Sequence, residues 1–221
     1  MDPSSETILI IESAIAGGSL ALFYDGDQIG TYTGAGGVSR SEDLLPNIAA
    51  ILEHAGVNKS ALSRIVVSRG PGSFTGIRIG IATAIGLGNA LNIGVDGVAL
   101  FDVIFSSAIS SSVQKVIAAV PVGRNDVAWQ RFESGVSPPA EKSYPRSTSF
   151  ESFLGEEDSF AGAEFIVHSS IRDKITERFP DSSIHDLGDN LAVHIGNAIA
   201  GGRAELSGLE PIYISNSGFR P

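Results

Sequence analysis

Apolar residues arrive along the chain in two rhythms. Ile8 to Ile11 is a β-branched run and Ser19 to Tyr24 a second, and Asp25-Gly26-Asp27-Gln28 turns the chain into Ile29 to Thr33. That pattern predicts three antiparallel strands. From Ser41 to Ala55 the spacing changes, with Leu44, Leu45, Ile48, Ile51, Leu52 and Ala55 at helical intervals. Glu42 and Asp43 stand near the start, Pro46 where a first turn tolerates it, and Gly56 at the stop. Arg64 to Ser68 reads as a short buried strand, and the apolar stretch Gly76 to Leu91 as a second helix. A strand near Ile93 to Val95 and a helix near Leu100 to Ser110 complete a first half, residues 1–110.

The remainder, 111–221, starts again with strands at Lys115 to Val122 and Asp126 to Phe132, joined through Gly123-Arg124-Asn125. Between Glu133 and Asp158 the prolines and serines predict a long loop with at most one helical turn, at Phe150 to Leu154. Helices are expected near Ser170 to Phe179 and Asn190 to Ala200, the latter capped by Asn190 and stopped by Gly201-Gly202. The class is α/β in two halves.

Composition narrows the chemistry. The 221 residues are 43% hydrophobic, enough for a substantial core. With no cysteine, the chain has no disulfides, thiolate metal sites or cysteine nucleophile, and the cytoplasm is the expected compartment. The N-terminus lacks the basic start of a secretory signal. Gly76 to Leu91 is glycine-rich and carries Arg78 and Asn89, which argues against a membrane span. A net charge of -10 without a basic cluster argues against strong direct binding of a nucleic-acid backbone.

The glycine-rich segment "SRGPGSFTGIRIGIATAIGLGNAL", residues 68–91, fits none of the familiar loops. A P-loop would need Gly-Lys-Ser/Thr after its first glycine, a dinucleotide fingerprint would need glycine where Thr75 stands, and a nucleophile elbow would need glycine where Pro71 and Thr75 stand. Two readings stay open: a purely structural turn, or a strand-to-helix turn in which Gly72, Ser73 and Thr75 receive an anion. The four histidines, His54, His168, His185 and His194, have no metal-ligand spacing, so neither metal nor cofactor is expected. Asp96, Asp102 and Glu12 read as caps or solvated acids, Asp181, Asp186 and Asp189 as turn residues, and Trp129 as core.

In the second helix Gly76, Gly80, Ala84 and Gly88 recur every four residues beside a ridge of Ile77, Ile81 and Ile85. A ridge almost without side chains admits another backbone closely. The visitor is either the chain itself or a second subunit. Leu45, Ala49 and Leu52 broaden the apolar face of the first helix in the same way, so the two helices could form one contact surface.

"ILIIESAIAGGSLALFYDG", "SEDLLPNIAAILEHAG" and above all the glycine segment resemble the TsaB (YeaZ) family, over about the first 105 residues; "LEPIYIS" resembles a family ending P-x-Y-[LV]-R, with Ser215 at the arginine position. The resemblance implies an actin-like ATPase fold of the sugar kinase and Hsp70 superfamily, with two half-domains of mixed sheet and flanking helices. It implies a non-catalytic subunit in threonylcarbamoylation of the tRNA adenosine next to the anticodon. Its partners would be a TsaD-like catalytic subunit, a TsaE-like ATPase or a second copy. The contact would run through Leu45, Ile48, Ala49, Leu52, Gly76, Arg78, Gly80, Ile81, Ala84, Ile85 and Gly88. Where family members commonly begin the first hairpin with Asp-Thr, this chain has Glu12-Ser13, candidates for a residual anion or nucleotide contact with Gly72, Ser73 and Thr75. The competing reading is an independent nucleotide-binding enzyme or small-molecule kinase of the same superfamily.

Overall fold

The computed structural model describes residues 5–34, 41–108, 115–133, 144–215 and 218–219. Strands β1 (Thr7–Glu12), β2 (Ser19–Tyr24), β3 (Asp27–Thr33), β4 (Arg64–Ser68) and β5 (Gly94–Val98) form the first sheet, with α1 (Ser41–His54), α2 (Phe74–Leu91) and α3 (Leu100–Ala108) as its helices. β1 is the centre, antiparallel to β2 and parallel to β4. Its sequence TILIIE is buried at every position, as a strand covered on both faces must be.

The second sheet holds β6 (Lys115–Val122), β7 (Asp126–Glu133), β8 (Arg146–Ser149), β9 (Glu164–Val167) and β10 (Ile184–Asp186) in the order β10-β9-β6-β7-β8. Around it lie the short helices α4 (Phe150–Leu154) and α5 (Glu157–Phe160), then α6 (Ser169–Arg178). α7 (Leu191–Ala200) and β11 (Leu206–Ser207) leave this half and return to the first: β11 extends the first sheet to the order β11-β5-β4-β1-β2-β3. α7 lies so tightly on β2 that a Cβ at Gly196 would stand 2.0 Å from the Phe23 ring. The second sheet is therefore built within residues 115–186, not across all of 111–221. The hairpin β12 (Ile214–Ser215) and β13 (Gly218–Phe219) follows.

Three apolar clusters result. One fills the space between the first sheet and α1 and α2, through Leu9, Leu22, Ile48, Ile65 and Ile77. A second joins the halves, packing Ile10, Val66, Phe101 and Ile104 with Val116, Ala118, Ile166 and Ile195. The third covers the outer face of the second sheet with Trp129, Phe153, Phe160 and Phe165, the Trp129 ring meeting Phe160 edge-on.

The strands and helices of the first half and the β6–β7 pair stand where the patterning puts them, although α2 begins at Phe74, with Ser73 as its cap, and β5 runs on to Val98. The loop expected over 133–158 is corrected: residues 134–143 lie outside the described residues, but 146–149 form β8 on the edge of β7, and α5 follows α4. β8 reads RSTS and has no apolar alternation to reveal it. β9 and β10 are too short for periodicity to separate them from loop.

Candidate functional site: the glycine turn and the outer face of the first two helices

The turn from β4 into α2 packs against the turn from β1 into β2. Ser13 Oγ donates to the Gly76 carbonyl at 2.8 Å, Ser73 N–H donates to the Ala14 carbonyl at 2.9 Å, and Ser73 Oγ caps α2 by accepting the Gly76 N–H at 3.4 Å. There is no room for side chains. A Cβ on Gly72 would lie 2.5 Å from Ala14 Cβ, and one on Gly76 would lie 2.3 Å from the Ser13 carbonyl oxygen.

Glu12, 1% exposed, folds back so that its Oε1 accepts the Ala14 N–H at 2.7 Å. Burial pushes its carboxyl up to about 8, outweighing the backbone N–H bonds from Ala14 and Ile15 that favour the charge. The structure thus brings Glu12, Ser13, Gly72 and Ser73 together, with Glu12, Ser13 and Ser73 hydrogen-bonded to Ala14 and Gly76; Thr75 stands exposed outside the cluster. The Ala14 N–H goes to the Glu12 carboxyl and the Ser73 N–H to the Ala14 carbonyl, so these two donors are engaged within the chain.

The small-residue ridge is also covered from within. Gly76, Gly80, Ile81, Ala84 and Gly88 are buried, Gly80 against Ser13 and Gly88 against Val95, whose Cγ2 would lie 2.3 Å from an added Cβ. The close backbone approach is made by β1, β4 and β5 of the same chain. On α1, Ile48 and Leu52 likewise belong to the core. Of the eleven residues proposed for a contact surface, Leu45, Ala49, Arg78 and Ile85 face outward. α2 is long and apolar enough to cross a membrane by length and composition, but this ridge packs it onto the sheet.

Patterning missed two neighbours on that outer face. Phe74 is 51% exposed, with the Arg78 guanidinium 3.7 Å from its ring centroid and the Tyr213 ring at 4.8 Å. The i, i+4 spacing of Phe74 and Arg78 was the available signal.

A second polar cluster lies at the start of α6. His168 is buried, and its Nδ1 accepts the Ser170 N–H at 3.2 Å as the helix cap. This fixes the hydrogen of the neutral ring on Nε2, which faces Asp189 Oδ1 at 3.8 Å. Burial holds the ring's pKa below its ordinary value, against the pull of Asp189 and Asp186. Although burial opposes its charge, Asp186 is held below the usual carboxylate range by Ser169 Oγ at 2.6 Å and the Gly188 N–H at 2.7 Å. These groups fasten the end of β10 to α6. Among the described residues no group of three or more His, Asp or Glu side chains is placed to hold a metal ion.

A family model described as TsaD, tRNA N6-adenosine threonylcarbamoyltransferase, matches residues 36–143. An uncharacterized protein of Mycobacterium tuberculosis is 36% identical over 98 residues, 44% of this chain and 44% of its own. The tRNA threonylcarbamoyladenosine biosynthesis protein TsaB of Escherichia coli is 31% identical over 133 residues, 58% of this chain and 57% of its own. The chain thus spans about half the length of the curated relatives it matches. YeaZ from Pseudomonas aeruginosa superposes with a TM-score of 0.64 at 23% identity, over 95% of this chain and 100% of that one. A second Pseudomonas aeruginosa structure, described by similarity to peptidase YEAZ, gives 0.63 at 24% identity over the same shares. The activator of the 2-hydroxyisocaproyl-CoA dehydratase from Clostridium difficile, with bound ADPNP, gives 0.53 at 9% identity over 90% of this chain and 96% of that one. The chain has the fold of the YeaZ structures, and over 58% of its length it is similar in sequence to the Escherichia coli TsaB protein.

Proposed function

We propose that the chain is a non-catalytic subunit in tRNA threonylcarbamoyladenosine biosynthesis, pairing through α1 and α2 with a TsaD-like catalytic subunit and, in a larger assembly, with a TsaE-like ATPase. The observation that carries this reading is the placement of exposed apolar side chains. Of the five large hydrophobic residues exposed among the described residues, Leu45, Phe74 and Ile85 sit on these two helices. Large apolar side chains exposed on two neighbouring helices mark a contact surface more often than chance exposure does. Ala49 and Arg78 complete the face, in place of the buried glycine ridge. The names of the TsaB relatives and the match to the TsaD family model supply the pathway.

At the glycine turn the Ser73 N–H is taken by the Ala14 carbonyl and Ser73 Oγ caps α2, which supports a scaffold over a nucleotide enzyme. A tRNA substrate would place the protein in the cytoplasm. The net charge of -10 leaves grip on that tRNA to the partners. A second copy could occupy the same face in the free protein. Co-purification with the cognate TsaD-like subunit tests the reading: Leu45→Glu and Ile85→Glu should fold normally by circular dichroism and lose pairing. Both variants binding at wild-type affinity would sink it.

A further inference from the structure

The two halves are joined by a second device, at the C-terminal end of the chain. After α7, β11 pairs with β5, placing Leu206 opposite Val98 and Ser207 opposite Gly97, and Ser207 Oγ donates to the Gly97 carbonyl at 3.2 Å. The segment then crosses the glycine turn. Arg69 Nη1 donates to the Glu210 carbonyl at 2.9 Å, and the Ile212 N–H donates back to the Arg69 carbonyl at 2.8 Å. At Tyr213 the phenol oxygen accepts Arg78 Nε at 2.8 Å, with the ring against Phe74. Ile214, half-buried, packs against the core shared by the halves, and the β12–β13 hairpin lies against β8, the edge of the second sheet.

The glycines under this path are cut to fit it. A Cβ at Gly97 would stand 2.2 Å from the Gly208 carbonyl oxygen, and one at Gly70, whose φ is +100°, would stand 2.9 Å from that of Ile212. The stretches "SRGPG" and "LEPIYIS" are therefore two sides of one joint.

We infer that residues 206–215 form a clasp: latched to the first half by Arg69 and Arg78 and seated on β8 of the second, it holds the halves in one relative position. The Arg69–Glu210 and Arg78–Tyr213 hydrogen bonds lie near the surface, whereas Leu206 and Ile214 pack against the core shared by the halves, so lifting the segment uncovers part of that core. The latch on Arg78 and Phe74 borders the face proposed for the partner, so the clasp is tested on the chain by itself.

Hydrogen exchange on the full chain, free of partners, tests it. Arg69→Ala and Tyr213→Ala each remove one latch. Each should speed amide exchange in residues 206–215 and in β8 together, by roughly two- to tenfold, the scale of one lost ordinary hydrogen bond. β1 and β4 should exchange as in the wild type. Faster exchange confined to the segment, with β8 unchanged, would overturn the clasp, as would no change in either variant. Should Arg69→Ala also loosen β1 and β4, Tyr213→Ala decides, because its hydrogen bond and ring contact are with Arg78 and Phe74 on the rim of α2.

Discussion

Ser13 Oγ and the Gly76 carbonyl lie 2.8 Å apart, a hydrogen bond that fastens the first hairpin to the opening turn of α2. The contact exists because Gly76 has no side chain. Gly76→Ala forces a Cβ to within 2.3 Å of the Ser13 carbonyl oxygen, backbone that cannot swing aside. We expect a loss of roughly 2–3 kcal/mol or more in chemical unfolding, the upper range for overpacking. Gly86→Ala, in the same helix but with nothing within 4 Å of the new Cβ, should instead gain about 0.5–1 kcal/mol from helix propensity. Equal effects at the two positions would show that the ridge is not a packing device.

Ile81 and Ile85 are one helical turn apart and differ in exposure, 8% against 39%. Ile81→Asp places a carboxylate in the core beneath α2, and the protein should lose its cooperative thermal transition, since an unpaired buried charge costs several kcal/mol. Ile85→Asp should keep a melting temperature close to the wild type. A folded Ile81→Asp variant would mean that the core on this side of the sheet is looser than the structure shows.

The contrast between those two isoleucines shows what the sequence could convey. Helical spacing identified α1 and α2 and their small-residue ridge, because burial against a sheet imposes a period of about 3.6 residues whoever does the covering. The same period cannot say whether the cover is the chain's own sheet or another subunit. Gly76, Gly80, Ala84 and Gly88 went to the sheet, and only Leu45, Ala49, Arg78 and Ile85 remained outward. β8 and β10 were illegible for a different reason: at four and three residues they are held by register with β7 and β9, not by any pattern of their own. The pairing of Arg69 with Glu210, across 141 positions, was beyond any local signal.

His168 should give the protein a sensitivity to acid. Its ring is buried and neutral, with a pKa below the ordinary 6.5, so the unfolded chain takes up a proton that the folded chain resists. Its contribution is fully present above about pH 6.5 and is lost as pH falls below that value. Asp189 and Asp186, which face the ring, moderate the loss without reversing it. His168→Asn keeps a side-chain acceptor for the cap of α6 and removes the titration. Urea midpoints measured at pH 7, 6 and 5 should fall less in the variant than in the wild type. An identical fall in both would remove His168 as the cause.

Glu12 should act in the opposite direction. Burial raises its carboxyl from 4.5 to about 8 in the folded protein, so across that interval the folded state holds a proton that the unfolded chain has released. Unfolding free energy attributable to this group therefore declines as pH rises from about 4.5 toward 8 and levels off above it; a shift of this size corresponds to several kcal/mol as an upper bound. Glu12→Gln keeps the side-chain length and an oxygen able to accept the Ala14 N–H, now held at 2.7 Å, but carries no charge at any pH. The variant should match the wild type near pH 5 and exceed it at pH 8 to 9, with circular dichroism unchanged. His168 titrates mainly below the upper half of this range, so a difference between variant and wild type that grows from pH 7 to pH 8 belongs to Glu12. Should the two proteins instead lose stability in parallel over that interval, the carboxyl is ionised within the fold. The backbone N–H groups of Ala14 and Ile15 would then be holding a charge rather than a neutral acid.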